Sequence, residues 1–189
     1  MREKIIKSLL AAGLASGVAI GGFFLTAQSE APRGVPILSS YLDTGGIPTI
    51  CLGSTRDIHG NRIKMGTTLT EDECVELYVK DFIEHYRLMK RAYSGTFKSE
   101  WQEAAVTDFV FHKGIGAFST STLLKYLKQN KHDEACDQLM RWIYGKNRSG
   151  QKVVIDGLVN RASKEFKWCI GEVPADIQYL KDSIDRGDF

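Results

Sequence analysis

The feature that most constrains this chain is a long uncharged stretch near its N-terminus. Residues 8–29 carry no charged side chain, and Arg2, Lys4 and Lys7 precede them. At about 1.5 Å of rise per residue, a helix of this length spans the roughly 30 Å hydrocarbon core of a bilayer. Basic residues before such a span keep the N-terminus in the cytoplasm. The sequence therefore predicts an N-terminal transmembrane helix within residues 1–29, followed by a periplasmic domain.

The composition of this stretch leaves three fates open. Its many small residues make its hold on a membrane marginal, and the residues near Ala27 offer no clean A-x-A cleavage site. A permanent anchor, a cleaved signal peptide and a signal-anchor that later leaves the bilayer all fit. Gly13, Gly17 and Gly21 have the spacing of a helix-packing motif, or they only lower the hydrophobicity. In every case residues 5–29 first meet the inner membrane, and the domain acts at its periplasmic face or is released into the periplasm.

Charge and cysteine content narrow the function classes. The formal net charge of +2 provides no basic field, so we expect no nucleic-acid partner. The cysteines, Cys51, Cys74, Cys136 and Cys169, all follow the uncharged stretch, on the side of the membrane where disulfides form. No pair has CxxC spacing and no histidine lies beside them at ligand spacing, so we expect two disulfides and neither a metal nor a cofactor. Spacing alone leaves three pairings open.

The pattern after the uncharged stretch predicts strands first and helices later. Pro32 and Pro36 indicate a linker, and glycines divide residues 37–66 into short strands and turns. Thr70 and Glu73 form a capping-box pattern that opens a long helix.

The remainder of the chain is predicted to be helical. Further helices are expected from Ser99 to the Lys113–Gly116 region, and at about 121–130, 133–144, 153–169 and 174–185. The expected fold class is α+β, with a small antiparallel β lobe followed by a mainly helical lobe. We expect one domain over residues 30–171, between the N-terminal segment and an amphipathic C-terminal extension at 172–189.

One motif in the predicted β lobe has catalytic potential. Tyr41, Asp43 and Thr49 belong to the pattern YxDxxGxxTICxG, in which a glycine turn joins two strands. This turn brings a carboxylate and a hydroxyl close to one point, where the pair can orient a water molecule. An aspartate in a glycine turn is more often only a turn residue, so the motif alone does not decide its role.

With three later blocks, at residues 108–124, 135–142 and 157–169, this motif resembles the phage-type lysozymes of glycoside hydrolase family 24. It is most similar in kind to the signal-anchor-release endolysins of lambdoid phages. The resemblance implies a lysozyme-like fold and hydrolysis of the β-1,4 bond between N-acetylmuramic acid and N-acetylglucosamine in peptidoglycan during host lysis. It also implies the disulfides Cys51 to Cys74 and Cys136 to Cys169.

The resemblance also assigns roles to residues of the site. The family uses a glutamate general acid, an aspartate and a threonine, and Asp43 and Thr49 match the last two. Substrate contacts are implied at Tyr41, His112, Gly116 and Phe118. The chain departs from the family at His112, where an asparagine is usual, and at Ala162, which replaces the second arginine of a pair.

The general acid is the main departure. At the family's glutamate position the chain has Gly34 or Arg33, depending on the alignment, and neither can donate the proton. Glu30, at the end of the uncharged stretch, is the nearest upstream carboxyl, and we predict that it acts as the acid. Alternatively, Glu30 is an interfacial charge that ends the membrane helix, and the chain is an inactive, membrane-tethered peptidoglycan-binding homologue. A lytic transglycosylase, which needs one acid and no attacking water, is a third possibility.

Overall fold

A computed structural model of the chain describes residues 1–30, 35–43, 45–147 and 149–189, except for the side chain of Glu30. Arg33 and Gly34, the two residues that align with the family's general acid, therefore lie outside the described residues. The elements are α1 (Arg2–Ala11), α2 (Ser16–Gly21), a π-helical turn (Gly22–Ala27), α3 (Gln28–Glu30), β1 (Ile37–Leu42), β2 (Pro48–Cys51), α4 (Glu71–Ala92), α5 (Glu100–Ser119), α6 (Thr122–Leu127), α7 (His132–Asp137), a 3-10 helix (Gln138–Arg141), β3 (Tyr144–Lys146), β4 (Lys152–Val154), α8 (Asp156–Cys169) and α9 (Ala175–Arg186).

The N-terminal segment, residues 1–30, differs from the predicted continuous transmembrane helix. The helix breaks between α1 and α2, where Gly13 has a φ of 85°, a conformation that glycine adopts without steric cost. Across the described residues, no helix combines the length and the apolar character needed to cross a membrane. The predicted span is instead a broken helical run folded against the rest of the chain, because its apolar side chains bury surface there.

The apolar residues of the segment belong to the hydrophobic core. Ile5, Ile6 and Leu9 are fully buried beside the second strand and α4, whereas Ile20 and Leu25 pack with α5 and the helices that follow it. The segment thus contributes to both clusters of buried side chains. Its removal would open a cavity in each.

The predicted β lobe is confirmed as an antiparallel hairpin. β1 pairs with β2 in the register Tyr41↔Thr49 and Leu42↔Pro48. A disulfide between Cys51 and Cys74 joins the end of this hairpin to the first turn of α4. The capping box that opens α4 is also as predicted, with Thr70 and Glu73 bonding each other's backbone amides.

The helical lobe is built around α5. Ser99 caps this helix as predicted, and Gly114 interrupts it with a φ of 81°, close to the expected end. The second disulfide links Cys136 and Cys169, so both implied pairings are confirmed.

One part of the helical prediction was wrong. β3 and β4 form a small antiparallel hairpin where we expected the end of one helix and the start of the next. Asn147 makes the turn, since its side-chain oxygen accepts hydrogen bonds from the amides of Ser149 and Gln151. The β-branched Val153 and Val154 then favour an extended strand before α8 begins.

The C-terminal helix α9 is amphipathic, as the pattern indicated. Ile177 is buried in the core, and Leu180 and Ile184 pack against both clusters of buried side chains. α9 also contacts α2, so the last helix of the chain lies beside the N-terminal segment.

Candidate active site

Asp43 lies at the turn of the β1/β2 hairpin. Its Oδ1 accepts hydrogen bonds of 2.8 Å from the amides of both Gly45 and Ile47, and its own amide donates to the carbonyl of Ile47. Gly46 completes the turn with a φ of 76°, which a side chain would strain. No hydrogen bond to the second carboxylate oxygen, Oδ2, is found among the described residues. Asp43 therefore stabilises the turn through Oδ1, and Oδ2 remains available for another contact.

The same turn occurs twice more among the described residues. Asp57 and Asn147 each accept hydrogen bonds through one side-chain oxygen from the amides two and four residues later. Because Asn147 builds this turn with a neutral amide, the turn does not need the charge of Asp43.

Thr49 lies on β2 just after the turn, where it pairs with Tyr41 of β1. Only 3% of Thr49 is exposed, and its hydroxyl donates a 2.9 Å hydrogen bond to the carbonyl of Ile47. Since the hydroxyl hydrogen is used there, the lone pairs of Oγ1 can accept a hydrogen bond from a water molecule. Asp43 and Thr49 are thus held on the two arms of one rigid turn.

A second element of the candidate site, the helical wall, is the lining of a cavity of about 420 Å³ between α5, α8 and the N-terminal segment. Its lining includes Ser29 from the segment, His112 from α5, and Arg161 and Lys164 from α8. Ser29 directly precedes Glu30, the last residue of α3. The backbone that carries Glu30 therefore ends beside this cavity.

Two side chains from the body bind carbonyls of the helical run that leads to Glu30. Tyr78 of α4 donates from its hydroxyl to the carbonyl of Gly22, and Lys164 of α8 donates from Nζ to the carbonyl of Phe24. These donors satisfy buried backbone acceptors that water would satisfy in an exposed segment. They fix the position of the run relative to both α4 and α8.

A buried ionic cluster adjoins the cavity, since Arg161 belongs to both. Arg161 Nε lies 3.3 Å from Asp108 Oδ2, and Asp108 and Glu165 are 0% and 3% exposed. Although burial alone would raise it, the charge of Arg161 and a hydrogen bond from Glu165 lower the pKa of Asp108. Burial and the Asp108 charge raise the pKa of Glu165 well above its usual value. The raised pKa favours the protonated form of Glu165, which can donate a hydrogen bond to Asp108.

His112 is held neutral at the cavity wall. Burial, with the nearby charges of Arg161 and Lys113, lowers the pKa of His112 to about 4. A neutral imidazole offers one donor and one acceptor, which suits hydroxyl and amide groups of a glycan.

The other two implied substrate contacts lie elsewhere on α5. Phe118 is fully buried and packs edge-on against Phe109, at 6.4 Å between ring centroids, so it is a core residue. Gly116 is exposed beyond the break at Gly114 and does not line the 420 Å³ cavity. Tyr41 remains on the hairpin wall opposite Thr49.

The sequence model of the family described as phage lysozyme matches residues 36–165. The chain belongs to the phage lysozyme family. The SAR-endolysin of Pseudomonas phage phiKMV is 33% identical to this phage lysozyme over 173 residues, which cover 90% of this chain and 93% of that protein. The SAR-endolysin of Enterobacteria phage P21 is 31% identical over 168 residues, covering 87% of this chain and 95% of the relative.

Solved structures share the phage lysozyme fold. The endolysin from Escherichia coli O157:H7 phage FAHEc1 superposes with a TM-score of 0.71 at 24% identity, covering 81% of this chain and 92% of that one. The active form of the P1 phage endolysin Lyz superposes with a TM-score of 0.70 at 19% identity, covering 93% of this chain and 97% of that one. At these identities the likeness shows the fold alone.

The candidate site residues of this phage lysozyme lie only partly inside the family match. Asp43, Thr49, His112 and Arg161 lie within residues 36–165, whereas Glu30 lies before them. Sequence reasoning did not assign Lys164 or the ionic cluster to the site. A signal was present for the cluster, since Asp108 is the only charge in an otherwise uncharged stretch of α5, and such a residue requires a buried partner.

Proposed function

We propose that this phage lysozyme is an endolysin that hydrolyses the β-1,4 bond between N-acetylmuramic acid and N-acetylglucosamine in peptidoglycan during host cell lysis. Glu30 is the general acid, and Asp43 and Thr49 act on the opposite side of the bond. Tyr41 and His112 contact the glycan. The fully buried Phe118 is left out of this site, and so is Gly116.

The observation that carries this proposal is the end of α3 beside the cavity. Ser29 lines the cavity together with His112 and Arg161, and Glu30 is the next residue. A carboxyl at this point would approach the glycan from the helical wall, whereas Asp43 approaches from the hairpin wall. A glycosidase needs two groups on opposite sides of the scissile bond. The loss of a glutamate at Gly34 or Arg33 is then offset by one that precedes the linker.

The chemistry follows from these positions. Protonated Glu30 donates its proton to the glycosidic oxygen, so that the leaving sugar departs as an alcohol. Positive charge develops on the remaining sugar ring, and the Oδ2 atom of Asp43 stabilises it, since Oδ1 is bonded to two amides. The Thr49 hydroxyl accepts a hydrogen bond from the attacking water and orients it toward the anomeric carbon. As the new C–O bond forms, the Oδ2 atom of Asp43 takes the proton that this water loses.

The N-terminal segment gives this enzyme two locations. Residues 5–29 first insert in the inner membrane as a signal-anchor, and later leave it and pack into the body of the domain. The relatives in Pseudomonas phage phiKMV and Enterobacteria phage P21 carry the name SAR-endolysin, which supports this order. While the segment is in the bilayer, its end is not docked on Lys164 and Tyr78, and Glu30 is away from the cavity. Release therefore assembles the site.

The test is product analysis with the full chain on purified peptidoglycan. Replacing Glu30 by Gln removes the transferable proton and keeps the shape, so we expect the release of reducing ends to fall by about 10³-fold or more. Glu172→Gln, at an exposed position after α8, is the matched control and should retain wild-type activity.

Three other outcomes would contradict parts of the proposal. Full activity in Glu30→Gln would show that Glu30 is not the general acid, although the chain would still be a muramidase. Anhydromuramic ends in place of reducing ends would identify a lytic transglycosylase. Retention of wild-type protein on insoluble peptidoglycan without any released product would favour the inactive binding homologue.

A further inference from the structure

The two ends of the chain that lie outside the family match are in contact with each other. The match ends at residue 165, and α9 (Ala175–Arg186) packs against α2 (Ser16–Gly21) of the N-terminal segment. We propose that α9 and the first turn of α5 form a receptor surface that binds the N-terminal segment and keeps it in the packed state. This inference rests on the membrane exit in the proposed function, but not on glycan cleavage.

The polar part of this surface binds the first turn of α2. A helix begins with amide groups that have no acceptor inside the helix, and Ala15 at the N-cap offers none. Glu100 of α5 supplies the missing acceptor, because its Oε2 accepts a 2.8 Å hydrogen bond from the amide of Gly17. The Ser16 hydroxyl lies 2.5 Å from Oδ1 of Asp185 in α9 and 3.2 Å from the same Glu100 oxygen.

Lys181 makes this arrangement electrostatically possible. Its Nζ lies 2.6 Å from Asp185 Oδ2 and 3.4 Å from Glu100 Oε2, between the two carboxylates. Without this cation two like charges would face one helix end across a short distance. Lys181, Asp185 and Glu100 thus form one unit, built from α9 and α5, that is complementary to the start of α2.

The steric part of the surface explains two glycines of the segment. A Cβ on Gly17 would lie 2.7 Å from Cβ of Glu100, and a Cβ on Gly21 would lie 2.5 Å from Cβ of Ala104. Both distances are too short for any larger residue. The glycines therefore allow α2 to approach α5 closely. Their spacing of four residues places both of them on the side of the segment that faces α5.

These contacts exist only when the segment has left the bilayer. Carboxylates and a lysine on the body cannot follow Ser16 and Gly17 into hydrocarbon, so they bind the packed state and not the inserted one. A group that binds one of two states shifts the equilibrium toward it by its differential affinity. Weakening the surface should therefore return part of the chain to the membrane.

The experiment uses the full chain with Asp185→Asn, Lys181→Met and the mild variant Ser16→Ala. The control is Asp176→Asn, at an exposed position in the first turn of α9. After expression in bacteria, alkaline extraction separates membrane-held from soluble chain. Amide hydrogen exchange on the soluble fraction then compares residues 16–22 with residues 136–169.

We expect the ratio of membrane-held to soluble chain to rise about fivefold in Asp185→Asn and Lys181→Met, and about twofold in Ser16→Ala. Exchange at residues 16–22 should accelerate by similar factors, with no change at residues 136–169 or in the control. An unchanged ratio and unchanged exchange in all three variants would overturn the inference. If a charge variant exchanges rapidly everywhere, its fold is lost and Ser16→Ala decides.

Both readouts are independent of cleavage. A chain that cuts no glycan but shows the shifted ratio would keep the receptor surface and remove the muramidase proposal. Wild-type chain that never appears in the membrane fraction would contradict the membrane stage, and this inference with it.

Discussion

The two walls of the proposed site, the hairpin wall and the helical wall, are made in different ways. The hairpin wall, with Asp43 and Thr49, consists of neighbouring residues whose hydrogen bonds all lie within one turn. The helical wall joins three parts of the chain, since Ser29, His112 and Arg161 line one cavity. The turn hydrogen bonds of the hairpin wall are local in sequence, whereas the helical wall includes Ser29 only when the N-terminal segment is docked.

This difference predicts that the two walls respond differently to substitution. Substitutions in the hairpin wall should change the reaction and leave the fold intact, because the turn is local. Substitutions in the helical wall should change stability and assembly first, because its residues hold distant segments together. Each of the following variants can break or sharpen this contrast.

The largest effect is expected in the ionic cluster of the helical wall. Arg161→Met leaves the fully buried Asp108 without its cation, and breaking a buried pair in this way costs about 3–5 kcal/mol of unfolding free energy. Glu165→Gln should cost less than about 1 kcal/mol, because Glu165 is already neutral and the amide can still donate to Asp108. Urea unfolding measures both, with Lys167→Met on the exposed side of α8 as the control. Equal losses in the two cluster variants would refute the protonation of Glu165.

The next effect belongs to the hairpin wall. Asp43→Asn removes the charge and keeps an oxygen for the two amides, as Asn147 does in its own turn. We expect the turnover rate on peptidoglycan to fall by about 10²- to 10³-fold, while the melting temperature changes little. Asp57→Asn is the matched control, because Asp57 makes the same turn outside the site. Retained activity in Asp43→Asn would show that Asp43 only stabilises the turn and takes no part in the reaction.

The same contrast explains what the sequence could predict. The hairpin with Asp43 and Thr49 was predicted because its glycine turn and strands are encoded within a few adjacent residues. The packing of residues 1–30 was not, since an uncharged helix of this length satisfies a bilayer and a protein core equally well. The pairing of Asp108 with Arg161, 53 residues apart, depends on tertiary packing that no local pattern contains. β4 was missed because its apolar residues run directly into the helical pattern of α8, and its partner β3 was missed with it.

A smaller effect is expected where the N-terminal segment meets α5. In Gly21→Ala the new methyl group would lie 2.5 Å from Cβ of Ala104, and relieving that overlap should cost about 1–3 kcal/mol of unfolding free energy. Gly116→Ala is the control, because nothing lies within 4 Å of a Cβ there, and it should gain up to about 1 kcal/mol from helix propensity. Urea unfolding of the soluble chains gives both values. Equal stabilisation by the two alanines would show that α2 does not pack as closely as described.

The smallest effect is a pH dependence of the helical wall. His112 has its pKa lowered from the ordinary value of 6.5 to about 4 in the folded chain, mainly by burial. As the pH falls from about 6.5 to about 4, the unfolded chain binds a proton that the folded chain refuses, so this part of the stability is present above that window and lost within it. Since His112 is partly exposed, we expect the loss to be only about 1 kcal/mol. Urea unfolding at pH about 7 and about 4.5 should therefore show a smaller drop in His112→Gln than in wild type. An identical drop would mean that His112 is solvated in the folded protein, and that the helical wall is looser than described.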